Sequence, residues 1–243
     1  MMRNMKPDAT TRGESVLATV RADIVHGVLP PGSKLAFAML TERYAASTGV
    51  LREVLPRLVE QGLVTSRAQL GYRVMTLSLA DLRHLTAARV ALEGQVLRQS
   101  IESGDTDWEG EVVAAHHRLS RTMMHDGDRL NPTWVDEHLG FHRTLQAGCP
   151  NPVLRDVAER LRTVAEVYRS AAAGMAGPLD DAGARHRALT DLAVGRRADD
   201  AVAMLQAHIE GSSEALARAC FDSALTAAAP RQRLVDDAFA ASA

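Results

Sequence analysis

His138 and His142 stand four residues apart, a spacing that on a helix sets both imidazoles on one face, one turn from each other. His186, in Ala184-Arg185-His186-Arg187-Ala188-Leu189, and His208, in Met204-Leu205-Gln206-Ala207-His208-Ile209, fall on the next helical stretches. Nitrogen donors gathered in this way can hold a divalent cation, and a nitrogen-rich set suits zinc or nickel better than magnesium or calcium, which want oxygen. The alternative is a neutral, hydrogen-bonded histidine cluster with no metal. The pair does not follow the metalloprotease pattern, because Leu139 follows His138 and no glutamate base is supplied. Glu137 points about 100° round the helix from His138. No Gly-x-Ser-x-Gly nucleophile motif occurs either. A metal-dependent hydrolase or lyase carrying a DNA-binding module therefore has ligands but no evident base, and it stands as the second reading. A constitutive DNA-architectural protein with a degenerate sensor is a third. The remaining histidines, His26, His84, His116, His117 and His125, read as surface residues or local hydrogen-bonding groups.

A second kind of chemistry lies at Ser47–Val64. Ser47 offers an N-cap oxygen, Val50, Leu51, Val54, Leu55, Leu58 and Val59 form an apolar face, and Gly62 permits a left-handed exit. Arg52, Glu53 and Arg57 decorate the polar side. A short helix, Phe37–Ala46, precedes it across a tight turn, as in a helix-turn-helix whose second helix enters a DNA major groove.

The flanking elements complete the unit. Glu14–His26 carries Val16, Leu17, Val20 and Ile24 on one face and ends at Gly27. Leu29-Pro30-Pro31-Gly32 is a turn. Leu63–Arg67 and Gly71–Thr76 are two short strands around Ala68-Gln69-Leu70, a wing bearing Arg67, Gln69, Tyr72 and Arg73. From Ser78 onward the period is helical: Leu79–Ser103, Thr106–Asp126, Thr133–Ala147, Val153–Ala173, Leu179–Val194 and roughly Ala198–Thr226. Asn131-Pro132 and Asn151-Pro152 each pair a cap with a proline suited to the first helical position. The fold class is mainly α: a winged helix-turn-helix domain over 13–76, then an all-α antiparallel bundle of about six helices over 79–228, able to enclose a small ligand. Residues 1–12 read as a polar tail, and 229–243 as an alanine-rich one.

The 243 residues are 46% apolar, 24% charged and only 4% aromatic, a composition that favours helix over sheet and argues against large-scale disorder. Net charge is −2 but unevenly spread: Met1–Thr76 carries ten Lys/Arg against six Asp/Glu, and the remainder 18 against 24. A basic first third on an acidic remainder fits a DNA reader joined to a domain that avoids DNA. No apolar run reaches bilayer length, residues 1–11 lack the core of a secretory signal, and Cys149 and Cys220 give no disulfide framework. The expectation is a reduced cytoplasmic protein with no membrane partner.

Gly27-x-x-x-x-Gly32-x-x-Leu35, Arg52-Glu53-Val54-Leu55-x-x-Leu58 and Gly62-Leu63-Val64 running to Gly71-x-x-Val74 resemble, over about sixty residues, the DNA-binding domain of the GntR family of bacterial regulators. The resemblance implies that Ser47 caps the recognition helix, that Arg52 contacts DNA, and that Gly71 lets the wing tip approach the minor groove. With Thr48, Arg67, Tyr72 and Arg73 these residues form the expected DNA-binding set. Two positions depart. Thr48 stands where the family usually has a base-reading arginine, which implies a different operator. Pro56 lies inside the recognition helix, where it should bend the helix at a cost of about 3 kcal/mol.

From about Leu79 to Leu216, Arg89-x-x-Leu92-Glu93, Phe141-His142, His186 and His208 resemble the helical FCD effector domain of the FadR-type branch of that family. The resemblance implies a divalent metal on His142, His186 and His208, with a fourth ligand, usually aspartate, at the position of His138. Two arrangements stay open: His138 coordinates as well, or it swings away and leaves open positions. The resemblance also places Arg89 in the same cavity, facing a small carboxylate; an i,i+4 ion pair with Glu93 is the plainer role, and both can hold at once. The implied function is a ligand-responsive transcriptional regulator, a homodimeric repressor on palindromic double-stranded operator DNA, controlled by an organic acid at a zinc or nickel site.

Overall fold

The computed structural model describes residues 12–127, 129–173 and 182–222. The expected tails, apart from Arg12, and the helix ends at 179–181 and 223–226 lie outside them.

α1 (Arg12–Val25) buries Val16, Leu17, Val20 and Ile24, and Gly27 leaves it at φ 75°. α2 (Phe37–Tyr44) and α3 (Thr48–Glu60) form the helix-turn-helix. Ser47 caps α3, its hydroxyl accepting from the Val50 amide at 3.3 Å. Leu51, Val54, Leu55 and Leu58 turn inward, and Gly62 exits at φ 77°. The helix runs on through Pro56 to Glu60, with the proline on its exposed side, so the expected bend does not divide it. β1 (Val64–Arg67) and β2 (Gly71–Val74) pair antiparallel, Val64 opposite Val74, and Lys34 adds a bridge to Arg73.

Six helices follow among the described residues: α4 (Leu79–Ser103), α5 (Thr106–Arg121), α6 (Pro132–Leu145), α7 (Pro152–Ala172), α8 (Ala182–Val194) and α9 (Ala198–Phe221). The caps of α6 and α7 are those expected, Asn131 accepting from Thr133 and Asn151 from Val153 and Leu154. α5 is shorter than its apolar period. It stops at Arg121 because Thr122 turns its amide to the Leu119 carbonyl and its hydroxyl to the Arg118 carbonyl. A small hairpin of β3 (His125–Asp126) and β4 (Arg129–Leu130) follows, turning at Gly127 with φ 59°.

The two halves share packing. The apolar core of the winged helix continues into Val167, Tyr168 and Ala172 of α7 and Leu216, Ala219 and Cys220 of α9. Polar contacts line the same seam. Arg21 donates to Thr163 Oγ1 at 2.9 Å, the Ser170 hydroxyl to the Val25 carbonyl at 2.5 Å, and His26 meets Asp136 at 2.9 Å. Tyr168 Oη lies 3.3 Å from the Ser78 carbonyl, where the wing hands over to α4.

Candidate metal centre and nucleic-acid interface

α6 presents His138 and His142, α8 presents His186, and α9 presents His208. All four are buried, at 1–3% exposure, and offer one ligand atom each within 4.8 Å of one another. The structure thus gathers the four residues expected from sequence, and the histidine at 138 is inside the cluster rather than turned away. Trp134 stacks on His138 at 4.7 Å, and Phe141 meets the rings of His142 and His186 edge-on at 5.2 and 5.3 Å. Among the described residues, Nδ1 of His138, His142 and His208 and Nε2 of His186 are buried and make no aligned hydrogen bond. Each such orphan costs about 1–3 kcal/mol, a cost that ligation of a metal removes. Burial first, then the neighbouring histidines and arginines, pushes His142, His186 and His208 well below the usual imidazole range. Neutral rings with free lone pairs are what metal ligation requires. The donor set fits a divalent metal.

Charged side chains pack beside the histidines. Arg89 and Glu93 come one turn apart on α4, and Arg162, Glu166 and Arg169 share one face of α7. Glu93 is fully buried. Arg89 Nε donates to its Oε1 at 2.7 Å, while Arg162 and Gln146 reach its Oε2 at 3.3 and 3.4 Å. Arg162 also donates to Gln146 Oε1. Burial by itself would raise the Glu93 carboxyl, but the two guanidinium charges outweigh it and hold the group below its usual range. Glu166 behaves alike: burial opposes, and Arg169 and His138 prevail. Its Oε2 lies 3.3 Å from His138 Nδ1 and its Oε1 lies 3.1 Å from Arg169 Nε, each off the hydrogen-bonding line.

Arg89 is ion-paired to Glu93, the plainer of its two expected roles, but the pair is buried rather than superficial. Only its Nε makes a hydrogen bond among the described residues. Sequence reasoning missed Arg162, Glu166, Arg169 and Gln146. The signal was charge at i, i+4 and i+7 on the side of α7 that also carries Ala158, Ala165 and Ala172.

A half-open pocket of about 220 Å³ touches the cluster at His186 and is lined by His116, Leu119, Thr122, Met124 and Trp134. His116, expected as a surface or local hydrogen-bonding residue, lines this pocket and tilts onto Phe141 at 5.9 Å. Burial foremost, and the charge of Arg187, lower its pKa.

On the winged helix, Ser47, Thr48 and Arg52 are exposed along the first turns of α3, and Arg67 and Gly71 are exposed on the wing. Gly71 sits at φ 77°, and among the described residues beyond its chain neighbours no atom comes within 4 Å of where a Cβ would lie. Tyr72 and Arg73 are half-buried. Tyr72 packs edge-on to Phe37 at 6.3 Å, and Arg73 donates to the Gly32 carbonyl at 3.0 Å. The structure thus brings Ser47, Thr48, Arg52, Arg67 and Gly71 to the surface and ties Arg73 to the loop before α2.

Comparison with known proteins agrees with this architecture. Residues 12–74 match the family model of bacterial regulatory proteins, gntR family, and residues 84–211 match the FCD domain. The chain is 39% identical over 202 residues to the HTH-type transcriptional regulator BphR of Paraburkholderia xenovorans, covering 82% of each chain. It is 36% identical over 151 residues to the HTH-type transcriptional repressor GlaR of Escherichia coli, covering 62% of this chain and 69% of that protein. Among solved structures, E. coli McbR/YncC superposes with a TM-score of 0.76 at 16% identity, over 86% of this chain and 99% of that one. A GntR regulator from Rhodococcus sp. RHA1 gives 0.67 at 17% identity, over 84% and 97%. At such identities the structural likeness speaks for the fold alone. The family and the named relatives are transcriptional regulators, not enzymes. The chain belongs to the GntR family of bacterial transcriptional regulators, with an FCD domain as its second half.

Proposed function

We propose that the protein is a cytoplasmic, homodimeric repressor whose affinity for a palindromic operator is set by a small organic acid bound at a metal site in the helical domain. Residues 13–76 are its DNA-reading unit and 79–228 its sensing and dimerising unit. The observation that carries the proposal is the buried cluster of His138, His142, His186 and His208, whose orphaned nitrogens lie beside three buried arginines. A divalent ion there, zinc or nickel, supplies a Lewis-acid position for a carboxylate oxygen. Arg89, held by Glu93 through Nε, directs the rest of its guanidinium at the acid. His138 serves as the fourth ligand, steadied by Trp134 and by the nearby Glu166.

Ser47, Thr48, Arg52, Arg67, Gly71 and Tyr72 form the DNA-facing set, with Arg73 shaping the wing. One winged helix reads too few base pairs to be selective, so two copies on a two-fold operator are required. Thr48 gives an operator different from the family's commonest. The acid repacks α4 and α7 around Arg89 and Arg162. The seam formed by Ser78, Tyr168, Ser170 and Arg21 passes that change to the winged helix and alters the spacing of the two recognition helices. The coupling this needs is typically about 1–3 kcal/mol, a several-fold to hundredfold change in operator affinity.

Two variants test the reading. Arg52→Ala is expected to abolish footprinting on DNA selected by the parent protein while the circular dichroism spectrum stays the same; retained footprinting contradicts the groove assignment. His186→Ala is expected to lower bound metal in elemental analysis, and unchanged stoichiometry removes the metal from the account.

A further inference from the structure

The wing turns through Ala68-Gln69-Leu70, between the paired residues Arg67 and Gly71. The Leu70 amide donates to the Arg67 carbonyl at 3.1 Å and closes the turn. A four-residue turn with a positive φ at its third position usually has glycine there. Here that residue is Gln69, at φ 63°. A side chain in the left-handed region is uncommon and persists only where its surroundings hold it. The tip therefore displays a carboxamide where glycine would display nothing. Beside it Leu70 is 55% exposed, and among the described residues from Ser47 to Val74 no other large apolar side chain is so open.

The setting of this leucine is cationic. No Asp or Glu stands between Glu60 and Asp81, a stretch that carries Arg67 and Arg73. Exposed Lys34 joins the wing through its bridge to Arg73. A basic hairpin with an apolar, amide-bearing tip matches a DNA minor groove: phosphates on the rims, hydrogen-bonding base edges on the floor, and base steps that a leucine can part. α3 leaves part of the reading to another element. Its exposed side chains are Thr48, Arg52, Glu53, Pro56, Arg57 and Glu60, of which Arg52 and Arg57 alone are long donors.

We infer that the wing tip is a second reader of the operator, with Leu70 entering the minor groove as a wedge at a TA step and the Gln69 carboxamide bonding to the groove floor beside it. This rests on the reading of residues 13–76 as the DNA-reading unit and adds a contact to it. TA and CA steps are the most easily kinked, and of the two only TA is free of guanine, whose N2 amino group stands on the minor-groove floor. A wedge there bends the duplex toward its major groove, the side that α3 enters.

The test uses the full chain and a duplex selected from a random pool by the parent protein. Affinity is read by fluorescence anisotropy, bending by energy transfer between the duplex ends, and position by hydroxyl-radical footprinting. Leu70→Ala is expected to bind at least tenfold more weakly, to lose the bend and to uncover one TA step, with an unchanged melting temperature because the side chain is exposed. Leu70→Met, which keeps a wedge, should stay within threefold of the parent. Gln69→Gly suits the backbone but removes the amide, and should bind at least threefold more weakly. Replacing the uncovered TA by a cytosine–inosine step on both strands keeps the minor groove of TA and gives the major groove of CG. That duplex should bind within threefold of the original, and the CG duplex at least tenfold more weakly. Unchanged affinity or bending in Leu70→Ala overturns the wedge, as does a methionine that fails to restore binding or an inosine duplex that behaves like CG. If Arg52→Ala abolishes binding while Leu70→Ala does not weaken it, the wedge fails and the DNA-reading unit stands. If neither variant alters binding, both fall.

Discussion

Glu93→Ala is the most direct probe of the buried charge network. Glu93 has no exposed surface, and it faces Arg89 at 2.7 Å and Arg162 at 3.3 Å. Deleting the carboxylate leaves both guanidinium groups buried with their counter-charge gone, and removes the acceptor that Gln146 also uses. Breaking a buried pair by removing one partner costs about 3–5 kcal/mol. For a chain of this size each kcal/mol moves the midpoint by about 2–4 °C, so the melting temperature should fall by roughly 6–20 °C. Glu93→Gln, which keeps an oxygen for Arg89, should lose less. The control is Arg197→Ala, which breaks an exposed pair with Asp200 and should cost under about 1 kcal/mol. The assay is thermal unfolding followed by circular dichroism, with urea unfolding as a check. A Glu93→Ala protein within about 1 kcal/mol of the parent would refute the claim that this carboxylate holds the network together.

Acidification of the metal-free protein gives a signed prediction. His142, His186 and His208 titrate well below 6.5 when folded, so as pH falls below that value the unfolded chain takes up protons first. Stability is therefore full above about pH 6.5 and declines as pH falls toward the folded values, with Glu93 adding a further loss below the ordinary carboxylate range. Urea unfolding across this range should show a plateau and then a fall; a flat profile would contradict neutral buried histidines. Ser47→Ala removes the cap of α3 and should cost about 0.5–2 kcal/mol in the same assay, and no change would mean the cap contributes nothing. Tyr168→Phe removes the hydroxyl at Ser78, with a stability loss of about 0.5–1.5 kcal/mol, and should weaken the change in operator affinity produced by a bound acid. An unchanged response would take the seam at Ser78 out of the coupling route.

The parts of the fold that were legible in the sequence have local causes. The bounds of α4 are those set by its period and by Ser78, and the Asn-Pro pairs mark the starts of α6 and α7. The end of α5 was not legible. Its apolar period continues to Met123, and only the hydroxyl of Thr122 and the turn at Gly127 show why the chain leaves the helix. Pro56 lies inside α3, as its position in the sequence implied, on the exposed side of a helix that continues to Glu60. In the candidate site, the histidines were legible because spacing and resemblance agreed. Arg162, Glu166 and Arg169 were not, because a charged residue on a helix reads as solvated until the packing of α4, α6 and α7 buries it. Tyr72 and Arg73 carry contacts inside the domain that their spacing does not reveal, Tyr72 edge-on to Phe37 and Arg73 to the Gly32 carbonyl.

The central claim is that the histidine and arginine cluster governs DNA binding. It is tested by measuring, through fluorescence anisotropy, the affinity of zinc-loaded protein for a DNA fragment selected from a random pool, with and without the tightest-binding carboxylate. The account predicts a change of about five- to hundredfold in the parent protein, and none in His186→Ala. An affinity that the acid leaves unchanged in the parent, or changes equally in the variant, would contradict it.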